Sequence, residues 1–258
     1  MRDLRPMAAA FAATTAVTLI LIVTGCGSSR ASKPTIKVAA AASLKAAFTR
    51  YGRGFKPANV DFSFAGSDLL AAQIEQGIKP DVFAAANLTL PQRLYARRLM
   101  SKSVVFAGNR LVLAVPARST KVRSLSDAEQ PGITIAIGSP TVPVGAYTRD
   151  VLARLGKGAS AHILANVRSQ EPDVSGIVGK LTQGAVDAGF TYVTDVRATN
   201  GKLAAIALPR SARPVVSYGI GLVEGSTHRA AASQFIRGLL AGPGRSALLA
   251  AGFLAARS

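Results

Sequence analysis

The chain has 258 residues, with 31 Lys and Arg against 13 Asp and Glu, a formal net charge of +18, 49% hydrophobic residues and one cysteine. That length allows one large domain or two modest ones with their own cores, and the apolar content excludes a wholly disordered chain. A single cysteine excludes a disulfide framework and any multi-cysteine metal site, two histidines (His162 and His228) leave little for a histidine cluster, and the charge surplus predicts an anionic partner.

The N-terminus predicts an exported, membrane-tethered protein. Arg2 and Arg5 form a basic start, and Met7 to Val23 is uncharged and mostly apolar. Val23-Thr24-Gly25-Cys26 resembles a bacterial lipobox, in which the signal is cut before the cysteine and that cysteine receives lipid. The only cysteine sits at that spot, which favours a lipoprotein over an uncleaved anchor with an incidental Cys26. Gly27 to Pro34 is small and polar and reads as a tether. No second apolar run of spanning length follows.

The body alternates strands and helices. Ile36–Ala41 reads as a strand, Ser43 as a helix start, and Leu44–Phe55 as a helix with apolar residues at helical spacing. Val60–Ala65 is a strand, Asp68–Gln76 a helix, Asp81–Ala86 a strand and Arg110–Val115 a strong strand stopped by Pro116. Ile133–Ile137 is a strand, Gly138–Pro143 a loop, Tyr147–Leu155 a helix, Val174–Gln183 a helix and Ala188–Val193 a strand. Val215–Val223 is a long strand, Arg229–Leu240 a helix, and a shorter helix ends the chain. This alternation predicts parallel α/β architecture, whose ligands bind beyond the carboxyl ends of strands.

Four junctions therefore stand out: Ser43, Ser67, the loop around Val144, and Val174. Each opens a predicted helix, where several N–H groups lack intrahelical acceptors and the helix dipole leaves about half a positive charge. Such termini hold anions without charged side chains. Taken singly, Ser43 and Ser67 read as plain N-caps rather than as ligand donors.

The combination of motifs is more specific. Ala40-Ala41-Ala42-Ser43-Leu44, Phe62 to Ser67, Leu70 to Gly77 and Pro80-Asp81-Val82-Phe83 resemble the molybdate-binding proteins of ABC transporters. So do Asn109 to Leu113, Ala136 to Tyr147, Asp187 to Tyr192 and Tyr218 to Gly225, in order along the whole body. The resemblance implies an α/β, two-lobed type II periplasmic binding protein fold, with two crossover strands and an oxyanion in the cleft. With residues 1–25 as signal and 26–34 as tether from the N-terminal pattern, the resemblance implies 35–114 with 211–258 as one lobe and 115–210 as the other. It implies hydroxyl and backbone donors at Ser43 and Ser67, backbone donors at Val144 and Val174, and the hydroxyl of Tyr192. It also implies molybdate or tungstate as ligand, no cofactor or metal cation, a membrane permease with its cytoplasmic ATPase as partners, and a monomer.

The residue types suit that ligand. A deprotonated tetrahedral oxyanion only accepts hydrogen bonds, so neutral donors match it and discriminate against a protonated anion. The loop Gly138 to Pro143 is one residue shorter than the family pattern, and Asp68 directly follows Ser67, where a neutral residue is expected. Asp68 reads as a helix-N1 acid facing solvent. Asp173 reads as a helix cap rather than as half of a catalytic pair with Glu171. Gly219, Gly221 and Gly225 miss the dinucleotide spacing and no P-loop string occurs, so an enzyme is not expected. The basic residues are dispersed and aromatics are only 6%, so nucleic acid is not expected either. Sulfate or another oxyanion remains the alternative ligand.

Overall fold

The computed structural model describes residues 33–256. The signal segment and Cys26 lie outside the described residues.

The first half of the body builds one sheet. It contains β1 (Thr35–Ala41), a 3-10 turn (Ala42–Leu44), α1 (Lys45–Arg53), β2 (Asn59–Ala65), α2 (Ser67–Glu75), β3 (Val82–Ala85), α3 (Thr89–Ala96) and β4 (Val104–Asn109). β1 lies between β2 and β3 and pairs with both in parallel. Its run Ile36 to Ala41 is buried apart from Lys37, as expected of a strand covered on both faces.

A second sheet follows at once. It contains β5 (Leu111–Pro116), β6 (Ile135–Gly138), α4 (Pro143–Leu155), α5 (Lys157–Ala165), β7 (Val167–Glu171), α6 (Val174–Thr182), β8 (Ala188–Tyr192), α7 (Val193–Ala198) and β9 (Leu203–Ala207). The chain then returns to the first sheet with β10 (Val216–Leu222), α8 (Arg229–Leu240), α9 (Pro243–Ala251) and β11 (Leu254–Ala255). The strand orders are β11-β4-β10-β3-β1-β2 and β7-β6-β8-β5-β9. The molecule is thus two-lobed, with crossings at Arg110 and between β9 and β10.

Three expectations change. The purely parallel architecture becomes mixed: β10 runs antiparallel to β3 and β4, and β5 runs antiparallel to β8 and β9. The reason is topological, because a strand arriving from the other lobe enters its sheet from the opposite end. The strand Leu111–Pro116 also pairs wholly within the second sheet, so the change of sheet falls at Arg110 rather than after 114. The helix expected from Tyr147 starts at Pro143, at the first helical turn where proline costs no hydrogen bond.

The first lobe is held by an aromatic cluster. Phe235 of α8 meets Phe48 of α1 edge-on at 5.7 Å and Phe55 at 5.4 Å between ring centroids. Both Phe48 and Phe235 are fully buried. Among the described residues no helix is long and apolar enough to cross a membrane.

Candidate functional site

All five sequence-selected residues line one cavity between the lobes. Ser43 and Ser67 come from the first lobe, and Val144, Val174 and Tyr192 from the second, together with Gly66, Val142 and Asp173. Each follows the carboxyl end of a strand or ends one: β1, β2, β6, β7 and β8. The cavity is small, ≈ 20 Å³. A water needs about 10–15 Å³ on this measure, so with the lobes closed as here the space suits only a compact ligand of a few heavy atoms.

Neither serine is spent on capping. The 3-10 turn begins after Ala41 and α2 after Gly66, and neither cap makes a side-chain bond. The plain N-cap role is therefore set aside. Ser67 is buried, and its Oγ accepts the Ala86 N–H at 3.1 Å, which leaves the hydroxyl proton free to be donated. Ser43 Oγ lies 2.9 Å from the Tyr218 hydroxyl.

The second lobe contributes backbone donors. In α4 the helical ladder starts with Ala146 N–H to the Val142 carbonyl at 3.0 Å. Pro143 has no N–H, so Val144 carries the first free donor, and the shortened loop still brings Val144 to the cavity. The tight packing has a local cause. Gly145 lies so close to the Ser139 carbonyl that any side chain there would overlap it. Val174 opens α6, and Asp173 caps it by accepting the Ser175 N–H at 2.6 Å, as expected. The N-termini of α2, α4 and α6 thus converge on one point, adding their partial positive charges.

Tyr192 supplies the sharpest observation. Its hydroxyl is buried and has no hydrogen-bond partner among the described residues. Such groups in a native interior are costly and uncommon. Burial pushes its pKa well above that of an ordinary phenol, with Tyr218, Tyr147 and Asp195 adding to the shift, so it stays a neutral donor.

Asp195 stands just behind. It accepts from Thr191 Oγ1 at 2.8 Å and from the Tyr192 N–H at 3.0 Å, fixing the turn that presents Tyr192. Burial raises its pKa to about 7 against these two bonds, and Asp173 adds a repulsion. The folded chain therefore holds a proton here that the unfolded chain gives up near pH 4. Folded stability attributable to Asp195 should fall as pH rises from about 4 to about 7, by roughly 1.4 kcal/mol per unit where only the folded chain is protonated. Thermal melts from pH 4.5 to 8 check this: the stability of the wild type relative to Asp195→Asn should decline with pH, and a constant difference contradicts it.

Asp68 does not simply face solvent. Its Oδ2 accepts from Thr141 Oγ1 of the other lobe at 2.6 Å, and its Oδ1 is buried without a partner. It closes the lip of the cleft beside Gly66. Neither this partner nor the polar chain behind Ser43, formed by Tyr218, Asn109 and Thr194, is legible from local patterns, because both join residues far apart in the chain. His162 is mostly exposed, 3.7 Å from Glu129. His228 lies 3.4 Å from the buried Asp81, away from the cleft. Among the described residues no group of three or more His, Cys, Asp or Glu could hold a metal ion.

A family model for bacterial extracellular solute-binding proteins matches residues 36–254, and the chain belongs to that family. Within it, the chain is 35% identical over 250 residues to the molybdate-binding protein ModA of Mycobacterium tuberculosis, covering 91% of this chain and 94% of that one. Its fold is like that of the Azotobacter vinelandii periplasmic molybdate-binding protein, with a TM-score of 0.77 at 20% identity over 86% of this chain and all of that one. The sulfate-binding protein SubI of M. tuberculosis has a similar fold, with a TM-score of 0.74 at 19% identity over 85% of this chain and 86% of that one. The family and these relatives are solute-binding proteins, not enzymes.

Proposed function

We propose that this protein captures molybdate, and tungstate of nearly the same shape, outside the cytoplasm and delivers it to an ABC permease driven by a cytoplasmic ATPase. The unpartnered Tyr192 hydroxyl carries this reading, because Tyr192 lines the same cavity as Ser43, Ser67 and the first residues of α4 and α6. Ser43, Ser67, the N–H groups of Val144 and Val174, and Tyr192 are the proposed donor set. Hydrogen bonds to a charged acceptor contribute about 1.5–3 kcal/mol each, so five suffice for tight capture after the cost of closure. The 35% identity to ModA points the same way. Lipid on Cys26 would hold the body at the membrane, and the working unit is a monomer.

Sulfate is the second reading, favoured by the shared fold with SubI. Calorimetric titration of the lipid-free protein with molybdate, tungstate, sulfate and phosphate separates the two. Molybdate and tungstate should bind tightly, sulfate much more weakly, and phosphate, which keeps a proton, least. Sulfate competing equally with molybdate would overturn the specificity.

A further inference from the structure

Asn109, the last residue of β4, is buried at the crossing between the lobes. Its Oδ1 accepts the N–H of Arg110 at 2.8 Å. A backbone N–H can only donate, so this bond fixes the orientation of the amide. The Nδ2 group then donates twice, to Thr194 Oγ1 of the second lobe at 2.9 Å and to Tyr218 Oη at 3.2 Å.

Tyr218 is fully buried, and its hydroxyl meets only Asn109 Nδ2 and Ser43 Oγ among the described residues. It receives a proton from Asn109 and has one proton to give. The sole acceptor for that proton is Ser43 Oγ. Were Ser43 to donate to Tyr218 instead, the Tyr218 proton would be buried without an acceptor, which is costly. Ser43 Oγ therefore accepts from behind, and its own proton turns toward the cavity that it lines.

We propose that Asn109 is a positioning residue that sets the direction of the hydrogen-bond chain through Tyr218 and so makes Ser43 a donor to a tetrahedral oxyanion. This rests on the oxyanion reading above. The same amide ties the second lobe to the crossing through Thr194, so the donor direction is defined where the lobes meet.

The test is Asn109→Asp, read as molybdate affinity relative to wild type at pH 8 and pH 5.5. Ionised, the new carboxylate can only accept, so Tyr218 turns to it and Ser43 loses its donor from behind. Protonated, it can donate as the amide does. The variant should bind at least tenfold more weakly than wild type at pH 8, and the deficit should shrink severalfold at pH 5.5. The titratable and charged groups around Asn109 and the pocket include Tyr147, Tyr192, Tyr218, Asp195, Asp173, Asp68, Arg110 and Arg213. They are common to both proteins and largely cancel in the ratio.

A Tyr218→Phe and Ser43→Ala double-mutant cycle gives a second measurement should the aspartate variant not fold. Ser43→Ala should weaken binding at least tenfold in the wild-type background and clearly less in the Tyr218→Phe background. Wild-type affinity of Asn109→Asp at pH 8, an equal deficit at both pH values, or additive effects in the cycle would each overturn the proposal. Failure of the wild type to bind molybdate would instead overturn the oxyanion reading.

Discussion

Gly66→Ala should weaken molybdate binding by about 100-fold while leaving the ligand-free protein as stable as wild type. Gly66 has φ −57 and ψ 135, a conformation any residue adopts without strain. The obstacle comes from the opposite lobe. A Cβ at this position would overlap the Pro172 carbonyl oxygen and lie 2.8 Å from Asp68 Oδ1 and 3.4 Å from Val142 Cγ1. Asp68 can swing aside, but Pro172 contributes a backbone atom at the start of α6 and cannot. The overlap exists only where the lobes meet, so the substitution acts against closure. Overpacking costs about 1–3 kcal/mol, roughly a 5–150-fold loss of affinity, and a backbone obstacle places it toward the upper end. A ligand that binds the closed form better can shift the equilibrium only by its differential affinity, and the variant subtracts from that difference. Titration calorimetry, thermal melting and small-angle scattering together check this. Wild-type affinity, or a lowered melting temperature without ligand, contradicts it.

Tyr192→Phe should separate affinity from stability in the opposite sense. The wild-type hydroxyl is buried and unpartnered, so it costs free energy in the ligand-free fold. Phenylalanine keeps the ring, which packs near Tyr218 with centroids 6.1 Å apart, and removes the hydroxyl. The ligand-free variant should melt at the same temperature as wild type or higher. Its affinity for molybdate should fall by about 10–150-fold, the equivalent of one hydrogen bond of 1.5–3 kcal/mol to a charged acceptor. Consequently the rise in melting temperature on adding molybdate should shrink sharply. A variant that is destabilised yet binds normally would mean that the hydroxyl serves the fold and not the ligand.

The helix starts that line the candidate site were legible from local chemistry, whereas Tyr192 and the donor roles entered only through the family resemblance. Small residues between an apolar run and a helical pattern mark the Ala42-Ser43 and Gly66-Ser67 turns, and Asp173 marks the start of α6. Strand ends and helix starts are local features, and this fold gathers them at one place. Sequence reading missed α3, β4, α5, β7, α7, β9 and β11, and several of these carry a weak signal. β7, with the sequence VRSQE, is an edge strand of half-buried and exposed residues and shows no apolar run. α3 contains Pro91, which reads as a breaker although it occupies the first turn. β9 is a mostly exposed edge strand of small residues, and α7 is a helix of 6 residues.

The antiparallel strands were illegible for a different reason. Direction within a sheet depends on which lobe a strand arrives from, and β10 carries no residue pattern that records this. Asp68 shows the same limit at a single position. Its place in the first turn of α2 is legible, but its partner Thr141 lies 73 residues away in the other lobe. The orientation of Ser43 depends on Tyr218, 175 residues distant, and on Asn109, 109 residues from Tyr218.

The donors around the cavity carry no formal positive charge, and that has an electrophoretic consequence. The proposed donors stay neutral and take up no proton on binding, so a captured molybdate dianion adds both of its negative charges to the particle. The whole 258-residue chain bears a formal +18, so the filled form remains strongly basic and is two units less positive than the empty one. Filled and empty molecules should therefore separate on a cation exchanger with no label, and the shift counts the charge that was swallowed.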